Sequence, residues 1–186
     1  MPPLGCSLEL LDLFSDAINA VCLPEDPFRL TSEHQANIRS IEVRLLSLEQ
    51  FALDITENES GADIAEICRL AVLVYLYRVA RGDDTTSPSL ETTLSLAYAR
   101  LQSLHGTAKA WALFILGVEA RTEERRQTIL QALRIALQTS PIGTVPHVWE
   151  MVQRSWNYQD LQEEPVDAVS YYSHVINQNP VPPCFS

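Results

Sequence analysis

Residues 109–126 read KAWALFILGVEARTEERR. Trp111, Phe114, Ile115 and Val118 recur at i, i+3, i+4 and i+7, which is one face of a helix. Leu113, Leu116 and Ala120 make the opposite flank apolar as well. A helix that is apolar all round is stable only when other elements surround it. This stretch therefore restricts the chain to folds that enclose residues 108–120. Gly117 costs about 1 kcal/mol against alanine in a helix interior, so its presence predicts another backbone approaching closely there. Glu119 stands at the end of the apolar surface.

The remaining chain supplies the enclosing helices. Ser7 is a fitting N-cap for a helix over 8–23, with Leu10, Phe14, Ala17 and Ile18 facing inward. Ser32 and Gln35 form a capping-box pattern for a second helix reaching Asp54. Ser60 opens a third helix over 62–81, and Gly82 stops it. Pro88 suits the first position of a fourth helix to Leu104. Apolar stripes then mark helices over 123–138, 144–158 and 166–178. No stretch alternates with period two. The predicted fold class is all-α, a single-domain bundle of about eight helices around a central buried helix 108–120. Residues 1–178 form the domain, and 179–186, with three prolines, form an irregular tail.

Charge and motifs exclude several chemistries. The formal net charge is −11; an acidic surface repels phosphate backbones, so no direct nucleic-acid contact is expected. The cysteines at 6, 22, 68 and 184 are scattered and show no CxxC spacing, which predicts reduced thiols and no zinc site. No basic leader precedes a cleavage pattern. The longest apolar run, 64–79, contains Glu66, Arg69 and Arg78 and falls short of the ~20 residues of a membrane span. Phosphate loops, GxSxG and HExxH are absent, and no cofactor is expected. Arg69 and Arg78 interrupt an otherwise apolar helix, so each is expected to snorkel to water or to meet a carboxylate.

Two groups of residues carry what chemistry remains. Glu119 is either a carboxylic acid raised in pKa against Trp111 and Phe114, or half of an ion pair with Arg121, Arg125 or Arg126. Tyr75, Trp111, Phe114, Trp149 and Tyr172 are aromatic residues able to line an apolar ligand cavity or to fill a core.

Four stretches carry a resemblance. Residues 70–80, LAVLVYLYRVA, look like the A-x-x-I-Y-L-x-R helix of the fungal-specific transcription factor domain. Residues 111–126, WALFILGVEARTEERR, look like that family's W-x-L-F-I-x-G-x-E-A helix and the acidic turn after it. VWEMVQRSW, residues 148–156, resembles its later V-W helix, and residues 5–21 resemble the domain's start. The likeness spans most of 5–156. It implies a helical regulatory domain which, in sterol-response members, binds a hydrophobic ligand in a cavity. The binuclear zinc-cluster cysteines of the family's DNA-binding part are not among these residues, and 166–186 reads differently from the family's end. No catalytic residue transfers.

The expectation is thus a relative of the regulatory domain, nuclear or cytoplasmic, binding an apolar small molecule or a protein partner and not DNA or membrane. Pairing with a full-length regulator through a helical surface, or as a homodimer, is part of that expectation. The alternative is a small enzyme of fungal secondary metabolism. In that reading Glu119 protonates a substrate inside an aromatic cavity, whose ring faces stabilise cationic intermediates.

Overall fold

A computed structural model describes residues 7–48, 59–139, 143–162 and 167–177. Among these residues there is no strand. The helices are α1 (Leu8–Asn19), α2 (Ser32–Ser47), α3 (Glu59–Tyr75), α4 (Pro88–Ser103), α5 (Ala110–Val118), α6 (Glu123–Thr139), α7 (Thr144–Leu161) and α8 (Ala168–Asn177). A 3-10 turn, Pro27–Leu30, leads into α2, and a π-helical segment, Leu76–Arg81, prolongs α3.

The central helix is where its composition requires it. Trp111 to Val118 are all buried, and α5 packs against α3, α6 and α7. It is shorter than 108–120 because Lys109 is extended (φ −67°, ψ 138°) and Glu119 already leaves helical geometry. Gly117 does mark a close approach, but of a side chain and not a backbone. A Cβ there would lie 2.6 Å from Val152 Cγ2 and 3.0 Å from Val152 Cγ1 on α7.

Local signals set most boundaries. The Ser7 side chain accepts the Leu10 amide at 3.2 Å. Pro88 begins α4, and Gly82, at φ 77°, closes the π segment by donating its N–H to the Tyr77 carbonyl. Other boundaries differ from expectation. Thr31, not Ser32, caps α2, because its extended backbone brings Oγ1 within 3.2 Å of the His34 amide. The described part of α2 ends at Ser47, where Leu48 turns extended; 49–54 lie outside the described residues. Ser60 lies within α3. Ile18 is 48 % exposed, since Leu10, Leu13 and Ala17 alone form the buried stripe of α1. Asp167 caps α8 by accepting the Ser170 amide at 2.9 Å. The expected start at Pro165 and Val166, and the tail 179–186, lie outside the described residues.

Candidate functional site

The C-terminal end of α5 receives side-chain donors from three neighbouring helices. Helix ends leave orphan carbonyls, and here they are buried. The Tyr98 hydroxyl of α4 donates to the Leu116 carbonyl at 2.6 Å. Trp156 Nε1 and Gln159 Nε2 of α7 donate to the carbonyls of Gly117 and Val118, each at 2.8 Å. Arg126 Nε of α6 reaches Ala120 at 3.2 Å. Burial pushes the Tyr98 hydroxyl well above its ordinary pKa, with the Glu119 charge adding to the rise, so it remains a donor.

Glu119 follows directly. Its carboxylate is 1 % exposed and meets Arg78, whose Nε lies 3.1 Å from both oxygens. Arg78 Nη1 donates to the Asp83 carbonyl, and Arg78 also lines a cleft of about 670 Å³ beside Gly82 and Asp83. Glu119 is therefore half of an ion pair, but its partner is Arg78 and not Arg121, Arg125 or Arg126. Arg125 goes instead to Glu91, and Arg126 to Asp160. The reason is the π-helical segment, which carries Arg78 into the core at 4 % exposure. Arg69, the other arginine of that helix, pairs with Glu66 at 2.6 Å and donates to the Leu45 carbonyl.

Next to this pair the aromatic residues interlock. Tyr172 of α8 makes edge contacts with Tyr75 of α3 and Phe114 of α5, at 5.8 and 6.2 Å between centroids. Phe14 of α1 joins Tyr75 edge-on and stacks on Trp111 at 4.9 Å. Tyr75, Trp111, Phe114 and Tyr172 thus belong to one cluster; Trp149 is half-buried on α7 against the core. Phe14 is the member that sequence reasoning placed only as core. Among the described residues the Tyr172 hydroxyl is buried without a hydrogen-bond partner. Burial raises its pKa well above the ordinary value, and the Glu119 charge raises it further. Its neighbour Tyr171, pushed up to about 12 by burial, donates to the Ser155 carbonyl at 3.1 Å.

The open clefts lie elsewhere. One of about 670 Å³ is lined by Arg29, Arg121, Asp84, Asp167, Tyr158 and Tyr171 among others, and a second of about 570 Å³ by residues of the 3-10 turn and α2. Cys22 and Cys68 form no disulfide. Cys22 Sγ lies 3.8 Å from His34 Nδ1, a pairing with no sequence signal because it joins the segment after α1 to the first turn of α2. Among the described residues no group of three or more His, Cys, Asp or Glu could hold a metal, and no helix is long and apolar enough to cross a membrane.

Comparison with known proteins matches residues 2–180 to the family described as fungal specific transcription factor domain. A curated relative, the transcription factor iacI of Pestalotiopsis fici, is 24% identical over 187 aligned residues, covering 99% of this chain and 47% of that protein. The chain thus spans about half the length of the curated relative it matches. No solved structure matches it.

Proposed function

The chain belongs to the fungal-specific transcription factor domain family, and from that premise we propose that it is a regulatory module that binds a hydrophobic small molecule at its aromatic cluster and does not itself contact DNA. One observation carries the ligand reading: the Tyr172 hydroxyl is fully buried among rings from α3, α5 and α8 with nothing to bond. An unsatisfied buried hydroxyl costs about 1–3 kcal/mol. An apolar molecule carrying one polar group would supply the missing partner while its body packs against Tyr75, Trp111 and Phe114, with Trp149 nearer the edge.

Acid catalysis draws no comparable support, because the Glu119 carboxylate is engaged by Arg78 at 3.1 Å. The net charge of −11 supports the absence of DNA binding, and the family supports a nuclear or cytoplasmic setting.

The test uses the purified chain and the uncharged fluorophore N-phenyl-1-naphthylamine. Saturable binding that quenches tryptophan emission is expected. Tyr172→Phe, which removes only the hydroxyl, is expected to weaken binding without lowering the melting temperature. Lack of binding, or full binding by Tyr172→Phe, would refute the ligand site. A gel shift showing salt-sensitive DNA binding at micromolar protein would refute the remainder. Co-purification of a stoichiometric protein partner, with no fluorophore bound, would move the reading to partner binding.

A further inference from the structure

The cleft between the 3-10 turn, α2 and the end of the π segment differs in character from the aromatic cluster. Arg29, Arg39, Arg81 and His34 line it beside Leu30 and Ile38, in a volume of about 570 Å³. Glu42, the sole carboxylate lining it among the described residues, is already held by Arg81 at 3.2 Å. The chain carries 24 acidic residues against 13 basic ones, and most of its arginines have a carboxylate within 4.0 Å. Arg29 and Arg39 have none among the described residues; Asp167, in the neighbouring cleft, feels Arg29 only at longer range.

Two further features bear on the donors. Gly82 has φ 77°, and any Cβ there would overlap the Arg29 guanidinium. The absence of a side chain at 82 is what lets Arg29 form the wall between the two clefts. His34 is 3 % exposed, and its Nε2 is buried with no partner among the described residues. Cys22 Sγ lies 3.8 Å from Nδ1, so Nε2 is the ring nitrogen left for a ligand, and in the tautomer that protonates it Nε2 donates to an acceptor.

We propose that this cleft binds a small organic carboxylate with an apolar body. Guanidinium groups only donate, so their complement is an acceptor-only group, and the planar fork of arginine matches a carboxylate. Leu30 and Ile38 supply the apolar wall. A volume of this size suits a small-molecule ligand. The overall charge of −11 works against anion capture, so the attraction is local, created by these side chains. The site is separate from the aromatic cluster: Tyr75, Trp111, Phe114 and Tyr172 do not line it. It stands or falls independently of the apolar ligand proposed above.

The experiment is NMR of the full chain, following the His34 ring while titrating 1-naphthoate, 1-naphthalenemethanol or inorganic phosphate. Naphthoate is expected to move the His34 signals saturably, with the alcohol at least about tenfold weaker, the loss expected for one charge-assisted contact. Arg39→Gln, at an exposed position, is expected to weaken naphthoate about ten- to a hundredfold with an unchanged melting temperature. Arg134→Gln, on the surface of α6, is the control for lost charge. Equal binding of acid and alcohol, no response of His34, or equal effects of Arg39→Gln and Arg134→Gln would each overturn the proposal. Phosphate matching naphthoate would overturn its carboxylate identity.

Discussion

Gly117→Ala isolates the packing at the centre of the bundle. The added methyl would sit 2.6 and 3.0 Å from the two Val152 methyls and 3.4 Å from Ile129 Cγ2. Valine is stiff at χ1, so it cannot turn both methyls away. Overpacking of this kind costs about 1–3 kcal/mol. Alanine gains about 1 kcal/mol over glycine in helix propensity, so the single variant is expected to lose roughly 0–2 kcal/mol. Val152→Ala removes the obstacle but empties two methyl groups, at about 0.8 kcal/mol each plus a cavity contribution. In that background Gly117→Ala should change sign and stabilise by about 1 kcal/mol. The coupling between the two sites is then about 1–3 kcal/mol, within the range for residues in contact. Urea denaturation of the four proteins at one concentration measures it. Additive effects within about 0.5 kcal/mol would refute the argument, because alanine at 117 would then not be feeling Val152.

Trp111→Ala, at 8 % exposure and stacked on Phe14, is expected to cost ~3–5 kcal/mol, and a melt matching wild type would contradict its placement. Glu119→Gln leaves the Arg78 charge buried and should cost about 3–5 kcal/mol, whereas a double change to Arg78→Met with Glu119→Leu should come much closer to wild type; equilibrium unfolding of both distinguishes an ion pair from an indifferent contact. Acidification should destabilise the fold. The hydrogen bond from Arg69 lowers the pKa of Glu66, and that from Arg125 lowers the pKa of Glu91, each below its ordinary 4.5. Stability from both is therefore present above that value and lost as pH falls through it toward the folded-state pKa. The urea midpoint should drop between about pH 5 and pH 3, and a flat profile would contradict the pairings.

The helix-forming stripes were legible because burial follows period: Leu90, Leu94, Ala97, Tyr98 and Leu101 face the core as their spacing requires. The all-apolar stretch likewise led directly to the centre. What escaped were features set by tertiary geometry. The π-helical segment has no signature in LYRVAR, yet it decides that Glu119 meets Arg78, 41 residues away, and not an arginine nearby in sequence. Ser32 with Gln35 spelled a plausible cap, and the true one is shifted by a residue because Thr31 has the extended backbone. Tyr75, Trp111, Phe114 and Tyr172 could be nominated from residue type. That they meet in one cluster, and that Phe14 joins them, depends on how α1 and α8 close over α3 and α5. The arginine-lined cleft was invisible for the same reason: Arg29, Arg39 and Arg81 come from three separate elements.

The side-chain donors on the last carbonyls of α5 have a kinetic consequence. An ordinary helix frays from its end, and its terminal amides exchange with solvent through small local openings. The amides of Glu119 and Ala120 bond to Ile115 and Gly117, inside a cap that α4, α6 and α7 build together. Freeing them requires those helices to separate, which is nearly the whole unfolding reaction. Their deuterium uptake should therefore be among the slowest in the protein and should track global stability across denaturant, making the terminus of a nine-residue helix a reporter for the entire bundle.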